Sequence, residues 1–232
     1  MKILRYIFTI SILLALPLAT SAQESSSKNC DSNLAFKGIG ISADLYGGIS
    51  TLFNDYISGE IAINANIGNR FFPIVEIGYG STDTTDEITG IYYKSAAPYY
   101  RVGLNYNFFY NKKGKLEDYR LYALARYGMT TAEYDVTTPP ITDPAWGGTA
   151  SLDLKGVKSS CSWFELGVGV EAKICKNFYM GWSVRYKTLI NADKGENSDI
   201  WYIPGYGENK SGCFGATYSL IYNIPFGKQE RH

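Results

Sequence analysis

The chain contains a single histidine, His232, which is its last residue. Histidine is the usual general base near neutral pH, so its absence from the body of the chain argues against a Ser-His-Asp or Asp-His catalytic site. A site built from carboxylates alone stays open, although pairing of those carboxylates with basic residues is the favoured interpretation. The sequence therefore predicts a non-enzymatic protein that uses no cofactor.

Net charge is also absent, because 22 Lys and Arg balance 22 Asp and Glu. The chain thus has no basic footprint for nucleic acid and no acidic tail.

Long apolar runs are missing except near the start, where Tyr6 to Leu16 is too short to span a bilayer as a helix. Lys2 and Arg5 precede this run, and Thr20-Ser21-Ala22 offers a cleavage site after it. The pattern predicts a secretory signal peptide over residues 1–22. An uncleaved anchor helix and a lipoprotein are the less favoured alternatives.

Tyrosine and glycine are abundant, with 20 and 24 copies, which is typical of many short strands joined by tight turns. Eight segments alternate apolar and polar residues. The predicted strands lie near 38–50, 56–67, 73–82, 100–108, 119–134, 164–174, 178–187 and 214–226. The fifth segment is the least regular, because Tyr122 and Leu124 share a face with Arg120 and Arg126.

The polar faces of these strands are rich in charge and in glycine. Glycine suits a narrow lumen, where it makes room for a long side chain opposite, better than a water-facing strand position. We therefore expect the polar face inside and the apolar face against lipid. The predicted lumen charges are Asp44, Glu60, Glu76, Arg101, Arg120, Arg126, Glu165, Glu171, Lys173, Arg185 and Lys187.

The connections alternate in length as in an outer-membrane barrel. The links after the second, fourth and sixth segments are short, whereas 83–97, 135–160 and 190–212 are long and polar. The link 51–55 is a departure, since it is short on the long-loop side. These features predict an all-β fold, an eight-stranded antiparallel up-and-down transmembrane β-barrel with a polar lumen over residues 37–226. A flexible periplasmic lead-in at 23–36 and a C-terminal tail at 227–232 flank it.

Several motifs of the chain resemble those of small Gram-negative outer-membrane β-barrel proteins, in particular an uncharacterised domain-of-unknown-function family. The motifs are Lys37-Gly38-Ile39-Gly40, Arg70-Phe71-Phe72-Pro73, Asn105-Tyr106-Asn107-Phe108-Phe109, 180–186 and Tyr222-Asn223-Ile224-Pro225-Phe226. The resemblance covers nearly all of the mature chain and implies the barrel and the bacterial outer membrane, but no activity. The last strand also resembles the segment that such barrels present to the barrel assembly machinery, except that Phe226 is not the last residue.

Two further patterns are weak. Residues 167–172 fit a dinucleotide-binding GxGxxA pattern, but the strand alternation continues to Ile174, where that motif requires a helix. Acidic residues cluster in two links, and carboxylate oxygens can hold Ca²⁺. A solvated loop is the favoured interpretation for both clusters, which are Asp83, Asp86 and Glu87, and Asp193, Glu196 and Asp199.

Four cysteines in an exported chain allow disulfides. Topology places Cys30 and Cys175 at the periplasmic end and Cys161 and Cys213 at the outer end. The last two begin strands that are not neighbours, about 10 Å apart, beyond the roughly 7 Å limit between Cα atoms. Only an inward-folding loop would close that gap, so both pairs stay open and neither is favoured.

Two functions stay open at this point. The first is a structural or surface-interaction protein whose long loops contact a partner protein, with outer-membrane lipids around it. The second is a lipid-binding or lipid-modifying barrel, which would need a lateral opening. Pro73 and Pro225 lie at strand ends, where proline is ordinary, so the first is favoured. A soluble lipocalin-like binder is weaker, since it needs an apolar lumen.

Export predicts a processed chain. N-terminal sequencing or intact mass of the purified protein should show a mature start at Gln23. A chain that keeps Met1 would contradict the signal peptide.

Overall fold

The computed structural model describes residues 35–45, 47, 56–109, 118–142, 147–194 and 198–226. The predicted signal peptide, the lead-in up to residue 34, the link 51–55 and the tail 227–232 lie outside these residues.

Eight antiparallel strands close into a barrel, as the alternation predicts. Each strand pairs with its neighbours along the chain, and the first pairs with the last, so the topology is up-and-down. The barrel strands are β1 (Phe36–Asp44), β2 (Tyr56–Ile67), β3 (Phe71–Thr85), β4 (Tyr92–Asn107), β5 (Tyr119–Thr137), β8 (Asp153–Cys175), β9 (Phe178–Ala192) and β12 (Gly212–Pro225).

Two short hairpins lie in the connections. β6 (Ile141–Thr142) pairs with β7 (Thr149–Ala150), and β10 (Tyr202–Ile203) pairs with β11 (Gly207–Glu208). The β3–β4, β5–β8 and β9–β12 connections share one end of the barrel, called the loop end below. The β2–β3 and β8–β9 turns lie at the other, the turn end.

In the described part of the chain, no helix has the length and hydropathy needed to cross a bilayer.

The outward face of the barrel carries a continuous apolar band. Leu166 and Val168 on β8, like Ile61 and Ile63 on β2, leave more than half of their area exposed. Rings border the band at both ends. The loop-end girdle is Tyr79, Tyr100, Tyr127, Phe164, Tyr186 and Phe214, and the turn-end girdle is Phe71, Tyr106, Phe108, Tyr119, Phe178 and Tyr222. Such a band between aromatic girdles is the surface that membrane barrels present to lipid.

Beyond the loop-end girdle, β3, β4, β5, β8 and β9 continue, and on the first four of these strands the inward and outward faces change in character. On β5, the inward positions change from Arg120 and Arg126 to Ala132, Tyr134 and Val136. On the same strand, the outward positions change from apolar to Thr131, Glu133, Asp135 and Thr137. The extension formed by β3, β4, β5 and β8 therefore has an apolar inside and a polar outside, like a water-soluble protein.

This extension corrects the predicted loops. The segments 83–97 and 135–160 are largely strand, because β3 runs to Thr85, β4 begins at Tyr92, β5 runs to Thr137 and β8 begins at Asp153. A pattern that places apolar residues outside stops at the girdle, where the faces change over, so the strand continues where the sequence indicates a loop.

The apolar band predicts a position-dependent effect of a cation. Leu166→Arg places its charge in the middle of the band and should cost about 2–4 kcal/mol of unfolding free energy. Ser160→Arg, on the same outward face of β8 but beyond the girdle, should cost less than about 1 kcal/mol. Urea unfolding of the refolded variants in phospholipid vesicles measures both, and equal costs would contradict a lipid-facing band.

Candidate functional site

The middle of the lumen is filled by three glutamates and three arginines. All six side chains are at most 8% exposed. Arg101 Nη1 lies 2.5 Å from Glu60 Oε2 and 3.1 Å from Glu76 Oε2, and its Nε lies 3.0 Å from Glu165 Oε1. The ion pairs thus join β2, β3, β4 and β8 across the barrel.

Glu76 is the centre of this network. Besides Arg101, it receives Arg126 Nε at 2.9 Å and Arg185 Nη1 at 3.3 Å. Arg185 Nη1 also lies 3.3 Å from Glu165. One carboxylate therefore contacts three guanidinium groups, which come from β4, β5 and β9.

Arg126 and Trp163 add further hydrogen bonds to the network. Arg126 donates to Asn105 Oδ1 at 2.6 Å and to the carbonyl oxygens of Leu104 and Ala125 at 3.1 and 3.0 Å. Trp163 Nε1 donates to Glu165 Oε1 at 2.7 Å. Buried charges are tolerated only when paired and hydrogen-bonded in this way.

As predicted, glycines on one strand make room for long side chains on the adjacent strand. A Cβ atom on Gly78 would overlap the Tyr99 ring, and one on Gly128 would overlap the Trp163 ring. Gly169 faces the Tyr122 ring in the same manner. Tyr122 and Leu124 lie inside the barrel, so the irregular fifth segment is a strand whose inward face mixes charged and apolar residues.

A plug closes the loop end of the lumen. It is the segment 200–206, in which Ile200, Ile203, Pro204 and Tyr206 are almost completely buried. They pack with Tyr93, Tyr134 and Trp163 of the extension.

Two lumen cations hold the plug by its main chain. Lys187 Nζ donates to the carbonyl oxygens of Gly205 and Tyr206 at 2.8 and 3.0 Å. Arg101 Nη2 donates to the Gly205 carbonyl at 3.0 Å. Gly205 has φ +82 and lies on the Tyr99 ring, so only glycine fits this position.

The turn end is closed differently. Arg120 forms an ion pair with Glu171, and its guanidinium lies 5.0 Å from the Phe72 ring centroid and 4.7 Å from that of Tyr179. Stacking on two rings together with a carboxylate suits a planar guanidinium. Buried asparagines add a second closure, in which Asn66 bonds Asn69 and Asn107 donates to the Asn69 carbonyl.

A polar cavity of about 30 Å³ remains between these closures, room for about two water molecules. Asp44, Glu60, Asn64, Arg185 and Ser219 are among its lining residues. The cavity is too small and too polar to hold a lipid chain.

The structure places nearly all predicted lumen charges inside the barrel, with two peripheral cases. Asp44 is half-buried and accepts hydrogen bonds from the main-chain N–H groups of Gly47 and Tyr218, both at 3.3 Å. Lys173 is the exception, because it lies exposed at the turn end, where its Nζ is 3.1 Å from Asp118. The alternation of β8 continues to the turn end, beyond the enclosed part of the lumen. Lys173 therefore points to the inward side without being buried.

The cysteine pair at the loop end, which the sequence left open, does not form a disulfide. Cys161 and Cys213 are free thiols, because β9 separates β8 from β12. The loop does fold inward, but Cys213 Sγ contacts the Tyr206 carbonyl at 3.4 Å instead. Cys175 is a free, exposed thiol, and Cys30, the other cysteine at the turn end in the pair left open, lies outside the described residues.

The GxGxxA-like pattern and the acidic cluster near Asp86 both have structural roles. Residues 167–172 lie inside β8, without a helix. Asp86 Oδ1 accepts hydrogen bonds from the Thr89 main chain at 2.7 Å, its hydroxyl at 2.8 Å and Ile88 N at 3.0 Å, and these bonds lower the pKa of Asp86. The carboxylate thus stabilises the β3–β4 turn. No metal-binding group of carboxylates, histidines or cysteines occurs among the residues that the structure describes, which do not include Glu196.

The plug is the feature that sequence reasoning missed. Its signal is the Ile-Pro-Gly-Tyr segment 203–206, which is apolar for an exposed loop. Its partners lie far away in the chain, so the segment alone does not indicate the burial.

The network makes Glu76 critical. Glu76→Gln leaves three buried guanidinium groups short of a countercharge and should destabilise the barrel by about 3–5 kcal/mol. Glu133→Gln, which breaks an exposed pair with Lys158 at 4.0 Å, should change stability by less than about 1 kcal/mol. Urea unfolding in detergent micelles compares them, and similar losses would argue against a central role of Glu76.

Comparisons with solved structures find distant barrels. The attachment invasion locus protein Ail of Yersinia pestis, in complex with the heparin analogue sucrose octasulfate, is 13% identical with a TM-score of 0.36, covering 82% of this chain and 97% of that one. A major outer membrane protein from Thermus thermophilus is 13% identical with a TM-score of 0.47, covering 82% and 100%. Neisserial surface protein A is 13% identical with a TM-score of 0.40, covering 82% and 96%.

No curated protein matches the sequence. A family model does match, over residues 3–229, and it is described as a domain of unknown function, DUF6048. The match spans almost the whole sequence. The chain, an eight-stranded barrel with an ion-paired lumen, therefore belongs to the DUF6048 family.

Proposed function

We propose that this protein is a non-enzymatic β-barrel of the bacterial outer membrane that acts as a structural or surface-interaction protein. The apolar band between two aromatic girdles, around a closed and packed barrel, is the observation that carries the proposal. The loop end faces the outside and the turn end the periplasm, as in other barrels with short turns on one side.

The dimensions support a membrane position. A tilted strand needs about 9–11 residues to cross the hydrocarbon core. On β8 the outward apolar positions extend from Phe164 to Ile174, which matches that span. The strands close into a barrel, which is one of the two structures, with the α-helix, whose backbone groups are satisfied inside a bilayer.

The filled lumen supports a structural role. Its carboxylates contact guanidinium groups, a plug covers one end, and Arg120 with buried asparagines closes the other. An eight-stranded barrel has an interior just wide enough for side chains. A transport path or a substrate pocket would need space that these side chains occupy.

The extension provides a surface for partners. β3, β4, β5 and β8 carry polar outward residues well beyond the band, and β7 of the β6–β7 hairpin is exposed. A protein partner would contact this surface from outside the cell. The barrel assembly machinery would recognise β12 and Phe226 during insertion.

The alternative, a lipid-binding or lipid-modifying barrel, needs a lateral opening toward the outer leaflet. The described pairs of β1 and β12, from Gly38–Pro225 to Asp44–Ser219, close the turn-end part of this seam, and the cavity behind them is small and lined by polar side chains that do not suit an acyl chain. We therefore keep the structural or surface-interaction role.

Cysteine accessibility tests the membrane position. Leu104→Cys and Leu166→Cys, in a background without other cysteines, should be quenched by lipid-borne spin labels and should resist aqueous thiol reagents. Thr85→Cys, at the loop end of β3, should label from outside intact cells.

Membrane fractionation and migration on gels with and without heating complete this test. A chain in the soluble fraction, or Thr85→Cys that labels only after lysis, would contradict the proposal.

A further inference from the structure

A stack of three aromatic rings ends in solvent at the loop end of the barrel. Trp201 lies on Tyr93, with ring centroids 5.3 Å apart and 12° between the planes, and Tyr93 lies on Tyr134 at 6.0 Å and 28°. Tyr93 and Tyr134 are almost completely buried, whereas Trp201 is 43% exposed. Because Tyr93 covers one face of Trp201, the exposed area belongs to the opposite face and the ring edge. We call the exposed Trp201 ring, on its two-tyrosine support, the platform.

Hydrogen bonds fix the main chain around the platform. The Trp201 N–H group donates to Tyr93 Oη at 3.2 Å, and Tyr134 Oη donates to the Ser198 carbonyl at 2.6 Å. From the other side, the Asn209 N–H group donates to the Trp201 carbonyl at 2.8 Å. A ring that is already held in place loses little conformational freedom on binding, which favours a strong contact.

The platform stands clear of the lipid. Tyr93 lies seven residues before the girdle residue Tyr100 on β4, which is roughly 18 Å along the membrane normal for a strand tilted by about 40°. The headgroup layer on each side of a bilayer is only about 5–8 Å thick. A soluble partner can therefore reach Trp201 without entering that layer.

The charges of the loop end are mainly negative. Four of its lysines pair with four carboxylates, for example Lys94 with Asp83. The charges that remain among the described residues of this end are Lys194 on one side and Asp86, Glu87, Asp135, Asp193 and Asp199 on the other. A surface with this excess of carboxylates attracts cations and repels anions.

One of these carboxylates lies beside the platform. Asp199 is exposed, precedes Trp201 by two residues and forms no ion pair within the described part of the chain. Their Cα atoms are therefore at most about 7 Å apart. Within the same residues, no Lys or Arg side chain lies over the Trp201 ring. The ring face and the carboxylate both attract positive charge, so together they suit a cation from another molecule.

We propose that the platform binds a basic segment of a protein outside the cell, with an arginine or lysine side chain stacked on Trp201 and paired with Asp199. Arginine fits best, because its planar guanidinium stacks on a ring while it donates to a carboxylate. Arg120 makes this combination with Tyr179 and Glu171 at the turn end of the same barrel. The inference rests on the proposed outer-membrane location and names the partner class for the surface-interaction role.

Binding of a fluorescent dodecapeptide of alternating arginine and serine, measured with the full chain in phosphatidylcholine nanodiscs, tests the proposal. Trp201→Ala should weaken binding about tenfold. Trp201→Phe keeps a ring on Tyr93 and should weaken binding less, because Trp attracts cations better than Phe does. Asp199→Asn should weaken binding about threefold.

The matched control is Trp182→Ala, which removes an exposed tryptophan of the apolar band. It lies far from the platform and should change the affinity by less than about twofold. Migration of each variant on unheated gels reports whether the barrel is folded. Should Trp201→Ala fail to fold, Trp201→Phe and Asp199→Asn decide the question, since both keep the ring stack.

Two further ligands identify what the platform recognises. A peptide with citrulline in place of arginine has nearly the same shape without the charge, and it should bind the wild type about tenfold more weakly. Maltoheptaose, a neutral oligosaccharide that can stack on a tryptophan ring, should not displace the arginine peptide.

Equal binding of the arginine and citrulline peptides would overturn the proposal, as would wild-type affinity in the folded Trp201 and Asp199 variants. Displacement by maltoheptaose would make the platform a glycan site and would overturn it as well. A failure of the proposed membrane location is a different result, since the wild type would then not enter nanodiscs at all.

Discussion

The burial of charge in a narrow lumen is the constraint on which the rest of the structure depends. Polar side chains that cannot face lipid must point inward, and an eight-stranded barrel gives them little water. Glu76 pairs the buried charges by contacting Arg101, Arg126 and Arg185 at the same time. Pairs of this kind contribute little net stability, but removal of one partner is costly because it leaves a buried charge unpaired.

The network also requires that the inward side chains differ in size around the barrel. Long side chains come mainly from β2 to β5, β8 and β9, whereas β1 and β12 contribute small inward residues such as Ser42, Thr217 and Ser219. The long side chains reach across the lumen toward this smaller wall. The cavity lies against the same wall, because its small residues leave space there.

The sequence was sufficient to predict the barrel and the inside of its membrane part. Period-2 alternation identifies each strand, and the placement of Arg126 or Glu165 among glycines identifies the lumen face. The strand ends were wrong wherever the faces change over, since β5 keeps its direction while its inward residues change from Arg126 to Tyr134. The plug could not be predicted, because its burial depends on Tyr93, Trp163 and Lys187, which are distant in the chain. Pairing partners within the network depend likewise on rotamers across the lumen and not on local pattern.

Each long strand passes through two environments: its turn-end half lies in the apolar band, and its loop-end half lies in the extension. In the band, the apolar residues face outward and the charged residues face the lumen. In the extension, the polar residues face outward to water and Tyr93, Tyr134 and Trp163 face the interior. The inside of the barrel must therefore change from polar to apolar at the girdle, and Arg101, Lys187 and Tyr99 lie at that change. Arg101 and Lys187 bind the plug carbonyls above and the Tyr99 ring packs on Gly205, while Arg101 pairs with Glu60 and Glu76 below. The plug therefore lies where two kinds of contact meet: hydrogen-bond donors from the charged lumen below and apolar side chains from the extension around it.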